Sequence, residues 1–146
     1  MPYSEEADIL WLTTHFKQFK ELASASPHKR INQFPFEHCI TIKDLLSIVC
    51  RRQDTHPEWL PRTFNMKTEL LKFVSYFQYS EANGLDNHWI VKPWNLARGL
   101  DMHISKSLPQ ILKQSLTGVP KIVQKYLHHP VLFDRPDIGQ VKFDVR

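Results

Sequence analysis

Apolar residues recur at near-helical spacing in three stretches of the chain. Ile9, Leu12, Phe16 and Phe19 predict a helix over 4–23, with Ser4 placed to cap it and Glu5 and Glu6 suited to its first turn. Ile42, Leu45, Leu46 and Val49 predict a second helix, capped by Thr41. Leu70, Phe73, Val74 and Phe77 lie on one face of a third, over 66–79, and read as core. Between them the pattern breaks. Pro27 interrupts 24–28, Pro35 between two phenylalanines makes 32–37 extended, 51–58 is polar, and 60–64 is a short extended segment.

After Asn83-Gly84, a turn signal, the period changes. Short apolar runs predict strands at 88–92, 102–104 and 121–126, with a helix near 107–116 and Gly118 just past its end. Pro130 and Pro136 bracket a loop, and a final strand runs from 141 to 146. Strands alternating with helices argue an α/β fold. The turn signal suggests a boundary, dividing the chain into parts 1–80 and 81–146.

The candidate chemistry begins in that second part, in His88–Gly99, HWIVKPWNLARG. An apolar strand ends on Lys92 and leads into a loop holding Arg98 and Gly99. A strand fixes the ammonium in space, and a glycine lets backbone approach an anion, which suits a polyphosphate. The loop is not a Walker P-loop, since no G-x-x-x-x-G-K-[ST] is present. On its own the stretch reads more readily as a surface lysine at a strand end before a proline-initiated turn. Trp89 reads as core and Trp94 as packing.

Three further pieces follow in order: strand 121–127, KIVQKYL, with Gln124-Lys125-Tyr126-Leu127; Pro130–Gly139; and the closing Lys142-Phe143-Asp144-Val145-Arg146. With the W-I-x-K-P strand, this order resembles the tubulin–tyrosine ligase family, ATP-grasp ligases that join amino acids to protein carboxylates. Ile31–Pro35, Thr41–Leu45 and Leu60–Phe64 fit the same resemblance, which covers the chain from about residue 31. The implied fold is a partial ATP-grasp domain: an N-terminal helical and α/β part, a central subdomain, and the start of a C-terminal subdomain.

The resemblance implies ATP as cofactor, with magnesium whose ligands are expected beyond the end of this chain. Lys92, Arg98 and the Gly99 backbone would hold phosphate. Gln124, Lys125, Tyr126 and Leu127 would form the hinge at adenine. Lys142 would face phosphate, and Asp144 the sugar or site water. Arg146 would bind a substrate carboxylate or acyl-phosphate, a task suited to its planar fork. The implied partner is tubulin or another acidic-tailed protein. The chain would be a fragment, inactive as a ligase by itself. The family's loop usually carries a second glycine two residues after the first, where this sequence has Asp101. A carboxylate there would oppose a phosphate, which sets a second reading beside the first: a catalytically silent pseudo-ligase acting as a tubulin- or protein-interaction module.

Composition narrows the classes. Hydrophobic residues make up 42% and charged residues 23%, the balance of a globular chain. No apolar run approaches the roughly 20 residues of a membrane span, and the acidic N-terminus lacks the bases of a secretion signal. Cys39 and Cys50 form no CxxC pair and read as reduced thiols of a cytoplasmic or nuclear protein. A net charge of +4 and a pI near 9.1 permit an acidic partner, but no dense Lys/Arg run marks a nucleic-acid arm. His128-His129 and the set His38, Cys39, Cys50 lack metal-ligand spacing, so no metal ligands are expected.

Overall fold

The structure is a computed structural model that describes residues 6–53, 57–96 and 99–143. The chain parts into two units, Met1–Thr41 and Ile42–Arg146. The first contains β1 (Ile9–Leu10), α1 (Phe19–Ala25), β2 (Arg30–Ile31) and α2 (His38–Thr41). The long helix expected over 4–23 is absent from its described part; only its last residues are helical, in α1. The physical cause is a pair of amide side chains. Asn32 exchanges two hydrogen bonds with the Leu12 backbone, at 2.9 and 3.0 Å. Gln33 accepts from the Phe16 N–H at 2.8 Å and donates to the Thr14 carbonyl at 2.7 Å. These bonds satisfy backbone groups that a helix would otherwise have paired, and β1 lies parallel to β2. Residues 35–37 turn instead of extending. Glu37 donates to the Phe34 carbonyl at 3.3 Å. Pro35 follows Phe34, and Phe36 has φ +60°, the residue pattern of a type II turn.

The second unit continues with α3 (Lys43–Gln53), β3 (Thr63–Asn65), α4 (Leu70–Ala82), β4 (Trp89–Pro93), β5 (His103–Ser105), α5 (Leu108–Ser115), β6 (Lys121–Lys125), β7 (Phe133–Arg135) and β8 (Gly139–Val141). Four strands form one antiparallel sheet in the order β3-β6-β4-β5. Mixed helices and strands give the expected α/β class. The boundary expected after Ser80 cuts through this sheet, because β3 precedes it in sequence and pairs with β6 after it.

Alternation along the strands gives the sheet two faces. Trp89 and Val91 of β4, Val123 of β6 and Phe64 of β3 point to one face and form a core with Phe73 and Phe77 of α4 and Ile111 of α5. Cross-strand partners share a face, so Ile90, Lys92, Ile122, Gln124, Thr63 and Asn65 belong to the other. Thr41 closes α2 and does not cap α3. Likewise α4 starts at Leu70, later than the pattern suggested. The Asn65 side chain accepts from the N–H groups of Lys67 and Thr68, at 2.9 and 3.3 Å, and holds a turn there.

The region from 130 to 143 also differs from expectation. A β-hairpin, β7–β8, replaces the loop between Pro130 and Pro136, and its second strand ends at Val141. Gly139 has φ +79°, which a side chain resists and which the turn requires. Lys142 therefore follows the strand and is not part of it.

Glu69 ties α3 to the start of α4. Its carboxylate accepts from Arg51 at 2.9 and 3.1 Å and from the Asn65 N–H at 3.0 Å. Burial works against its charge, but the Arg51 hydrogen bond, the Asn65 N–H and the Arg51 charge outweigh that and hold its pKa below the ordinary value. Glu69→Ala strands a half-buried guanidinium, and a loss of about 3 kcal/mol in denaturant unfolding is expected. A lowered folded-state pKa means the stabilisation is present above about pH 4.3 and is lost as pH falls through the folded value. Glu69→Gln should accordingly flatten the acid limb of stability against pH.

Candidate nucleotide-binding face

Lys92 projects from β4 onto the sheet face opposite the core, where Gln124 from β6 and Thr63 from β3 stand beside it. The Lys92 ammonium donates to Gln124 Oε1 at 2.8 Å, and Gln124 Nε2 donates to Thr63 Oγ1 at 2.8 Å. Thr63 in turn donates to the Pro61 carbonyl at 2.8 Å. Each member's orientation is thus fixed by the next. Burial, and then the charge of Lys43, push the Lys92 pKa below the ordinary lysine value. Lys43 opens α3, with its backbone N–H on the Trp94 carbonyl and its ammonium on the Leu96 carbonyl at 2.5 Å. Among the described residues no carboxylate pairs with either lysine. Two converging cations, one half-buried, with only neutral oxygens as partners, make a site that favours an anion.

The other expected residues divide. Gln124 lies inside β6 and is the hydrogen-bond partner of Lys92. Tyr126 and Leu127 follow the strand, and the Tyr126 N–H donates to the His88 carbonyl at 3.0 Å. Lys125 is brought to the opposite face, because it pairs with Trp89 in the β4–β6 register. Its ammonium lies 5.1 Å from the centre of the Trp89 ring and 2.6 Å from Asp86 Oδ2. That charge therefore does not belong to the Lys92 face. Lys142 meets Tyr126, donating to its hydroxyl at 3.2 Å. Gly99 has φ +74°, in the loop where a glycine was expected to serve backbone approach. Arg98, Asp144 and Arg146 lie outside the described residues.

Asp101 departs from its expected part as an uncompensated charge. Its carboxylate is 2.8 Å from Lys121 Nζ and 3.1 Å from His103 Nε2, and Lys121 is only 4% exposed. The Lys121 hydrogen bond, then that of His103, holds its pKa below the usual carboxylate value. Asp101 has φ +51°, and its ion pair with Lys121 ties the loop to β6. Sequence reasoning missed Lys43, Thr63 and Lys121. Lys43 and Thr63 sit in motifs that carried the family resemblance, but only the register shows Thr63 beside Gln124.

Residues 21–146 match the tubulin–tyrosine ligase family. The chain is 52% identical over 143 residues to a human protein named tubulin–tyrosine ligase-like protein 12, covering 97% of this chain and 22% of the relative. Its counterpart in Caenorhabditis elegans is 50% identical over 143 residues, again 97% of this chain and 22% of the relative. More distant is a mouse protein named probable tubulin polyglutamylase TTLL2, 29% identical over 149 residues, or 97% of this chain and 26% of that protein. The chain thus spans about a fifth of the length of the relatives it matches best among these.

Proposed function

Because the chain belongs to the tubulin–tyrosine ligase family, we propose that it supplies the phosphate-holding face of an ATP-binding ligase-type domain acting on acidic protein tails, tubulin's among them. The observation that carries this reading is Lys92. It is a half-buried cation, oriented by Gln124 and Thr63, joined by the field of Lys43 and lacking a carboxylate among the described residues. The donor set fits a triphosphate: ammonium groups neutralise its oxygens, and the Gly99 backbone can approach it. Bound there, ATP supplies the phosphoryl group that activates a carboxylate for attack by an amine.

The chain's own residues bind and orient. Lys92 and Lys43 hold phosphate, with Arg98 closing over it. Tyr126 and Leu127, beside the end of β6, flank the base, and Lys142 reaches the same place through Tyr126. Asp144 serves the sugar, and the Arg146 fork takes a substrate carboxylate. Magnesium ligands are assigned to no residue of this chain. Relatives whose names describe tubulin polyglutamylases and a tubulin glycylase support an acidic tubulin tail as substrate. A cytoplasmic location follows from that partner. No helix among the described residues is long and apolar enough to cross a membrane.

Calorimetric titration of the protein with Mg-ATP and with adenosine tests the reading. ATP is expected to bind the more tightly of the two, with a salt-sensitive difference, because its phosphates supply the contacts to lysine. Equal affinities, or no heat with ATP, would favour the silent interaction module.

A further inference from the structure

The ends of β4 and β6 away from Lys92 gather a second set of groups. Asp86 and His88 precede β4, and His128 follows β6. Antiparallel pairing sets these segments side by side, with Trp89 opposite Lys125 and the Tyr126 N–H on the His88 carbonyl. Asp86 Oδ1 meets His88 Nδ1, and Asp86 Oδ2 lies 3.9 Å from His128 Nδ1. The two imidazole rings are 5.1 Å apart and inclined by 31°. One ligand atom from each of the three residues falls within 4.8 Å of the others. Asp86, His128 and their neighbours also line an open cleft of about 300 Å³, so an ion and water can reach them.

We propose that Asp86, His88 and His128 form a binding site for a divalent transition-metal ion of the zinc class. Two imidazoles and one carboxylate are a zinc ligand set that leaves the fourth position to water. Magnesium and calcium, which favour oxygen ligands, are poorly matched to it. The cleft lies at the end of the strands that carries Lys125 and also holds Tyr126 and Leu127, so on the proposed reading the site adjoins the place of the base, while its three ligands are not among the residues that contact Lys92. Histidine spacing in the sequence does not reveal it, since His88 and His128 meet only through the strand pairing.

Lys125 makes the inference specific. Its ammonium lies 2.6 Å from Asp86 Oδ2 and competes with a metal for the same carboxylate. Removing that ammonium should therefore strengthen metal binding, whereas removing an imidazole should weaken it. Adventitious binding by surface histidines would not respond to Lys125.

The test titrates the 146-residue chain with Zn²⁺ in a non-chelating buffer, with Mg²⁺ as control, and repeats it with His88→Ala, His128→Ala and Lys125→Gln. Circular dichroism before metal addition establishes that each variant is folded. One equivalent of zinc is expected in the wild type, with affinity lowered at least about tenfold in either histidine variant and raised in Lys125→Gln. Co²⁺ added in place of Zn²⁺ should give an intense visible absorption, lost in the histidine variants. Zinc affinity unchanged in both histidine variants, or no zinc bound by the wild type, would overturn the assignment.

Discussion

Trp89→Ala is expected to remove a large part of the stability of the second unit. Trp89 is 0% exposed and its ring stands 5.1 Å from Phe73 and 5.9 Å from Phe64 and from Tyr76. Its indole N–H donates to Asn87 Oδ1 at 3.0 Å. Truncating such a side chain removes its buried area and leaves a cavity that flanking aromatics on a fixed sheet cannot fill, at about 3–5 kcal/mol. Against a total stability of about 5–15 kcal/mol that is a large fraction. Trp11, 79% exposed, serves as the control, and its replacement by alanine should change little. Denaturant unfolding followed by far-ultraviolet circular dichroism separates the two. A Trp89→Ala midpoint close to that of the wild type would mean that the core is not organised around this strand.

Lys92→Ala is expected to weaken ATP binding by about 1.5–3 kcal/mol, roughly 10- to 150-fold in Kd, the loss of one charge-assisted contact in a half-buried site. Lys125→Ala should weaken it less, because Lys125 projects to the other face and serves Asp86. The same Lys92 substitution should not destabilise the empty protein in proportion. Burial and the Lys43 charge depress the Lys92 pKa, so between the folded and unfolded values the unfolded chain carries more protons. Stability must rise with pH through that interval, and replacing the lysine by methionine should remove the rise. Weaker ligand binding with undiminished stability distinguishes a binding lysine from a structural one. Equal ATP affinities for the wild type and Lys92→Ala, with the fold intact, would remove Lys92 from the site.

Strong local patterns were legible in the sequence, and patterns that depend on distant partners were not. The β4 strand could be read because Trp89, Ile90 and Val91 are an apolar run closed by Lys92-Pro93, and β5, α5 and β6 fall within a residue or so of their expected places. The 4–23 helix failed because its periodicity was genuine but its backbone was claimed by Asn32 and Gln33, nearly twenty residues away. The start of α4 slipped for a more local reason, the turn that the Asn65 side chain holds. The β7–β8 hairpin was read as loop because Pro130 and Pro136 mask three-residue strands that have no marked alternation.

The site divides along the same line. Lys92 and Gln124 were named from residue type and order, but that one binds the other follows only from the register. The register is also what removes Lys125 from the group, since one step along a strand reverses the face. Asp101 looked like an open charge until the fold placed Lys121 against it. Asp86, His88 and His128 are joined by nothing in the sequence except the strands between them.

The most direct measurement is the titration of Lys92 itself, by NMR of ¹³Cε-labelled lysine, with the signal assigned through Lys92→Met. In the absence of nucleotide its midpoint should lie below the ordinary lysine value, because burial and Lys43 oppose its charge. Saturating ATP should raise that midpoint, since a polyphosphate stabilises the ammonium beside it. A Lys92 midpoint unmoved by saturating ATP would contradict the account, because the nucleotide would then be held away from the face that this lysine defines.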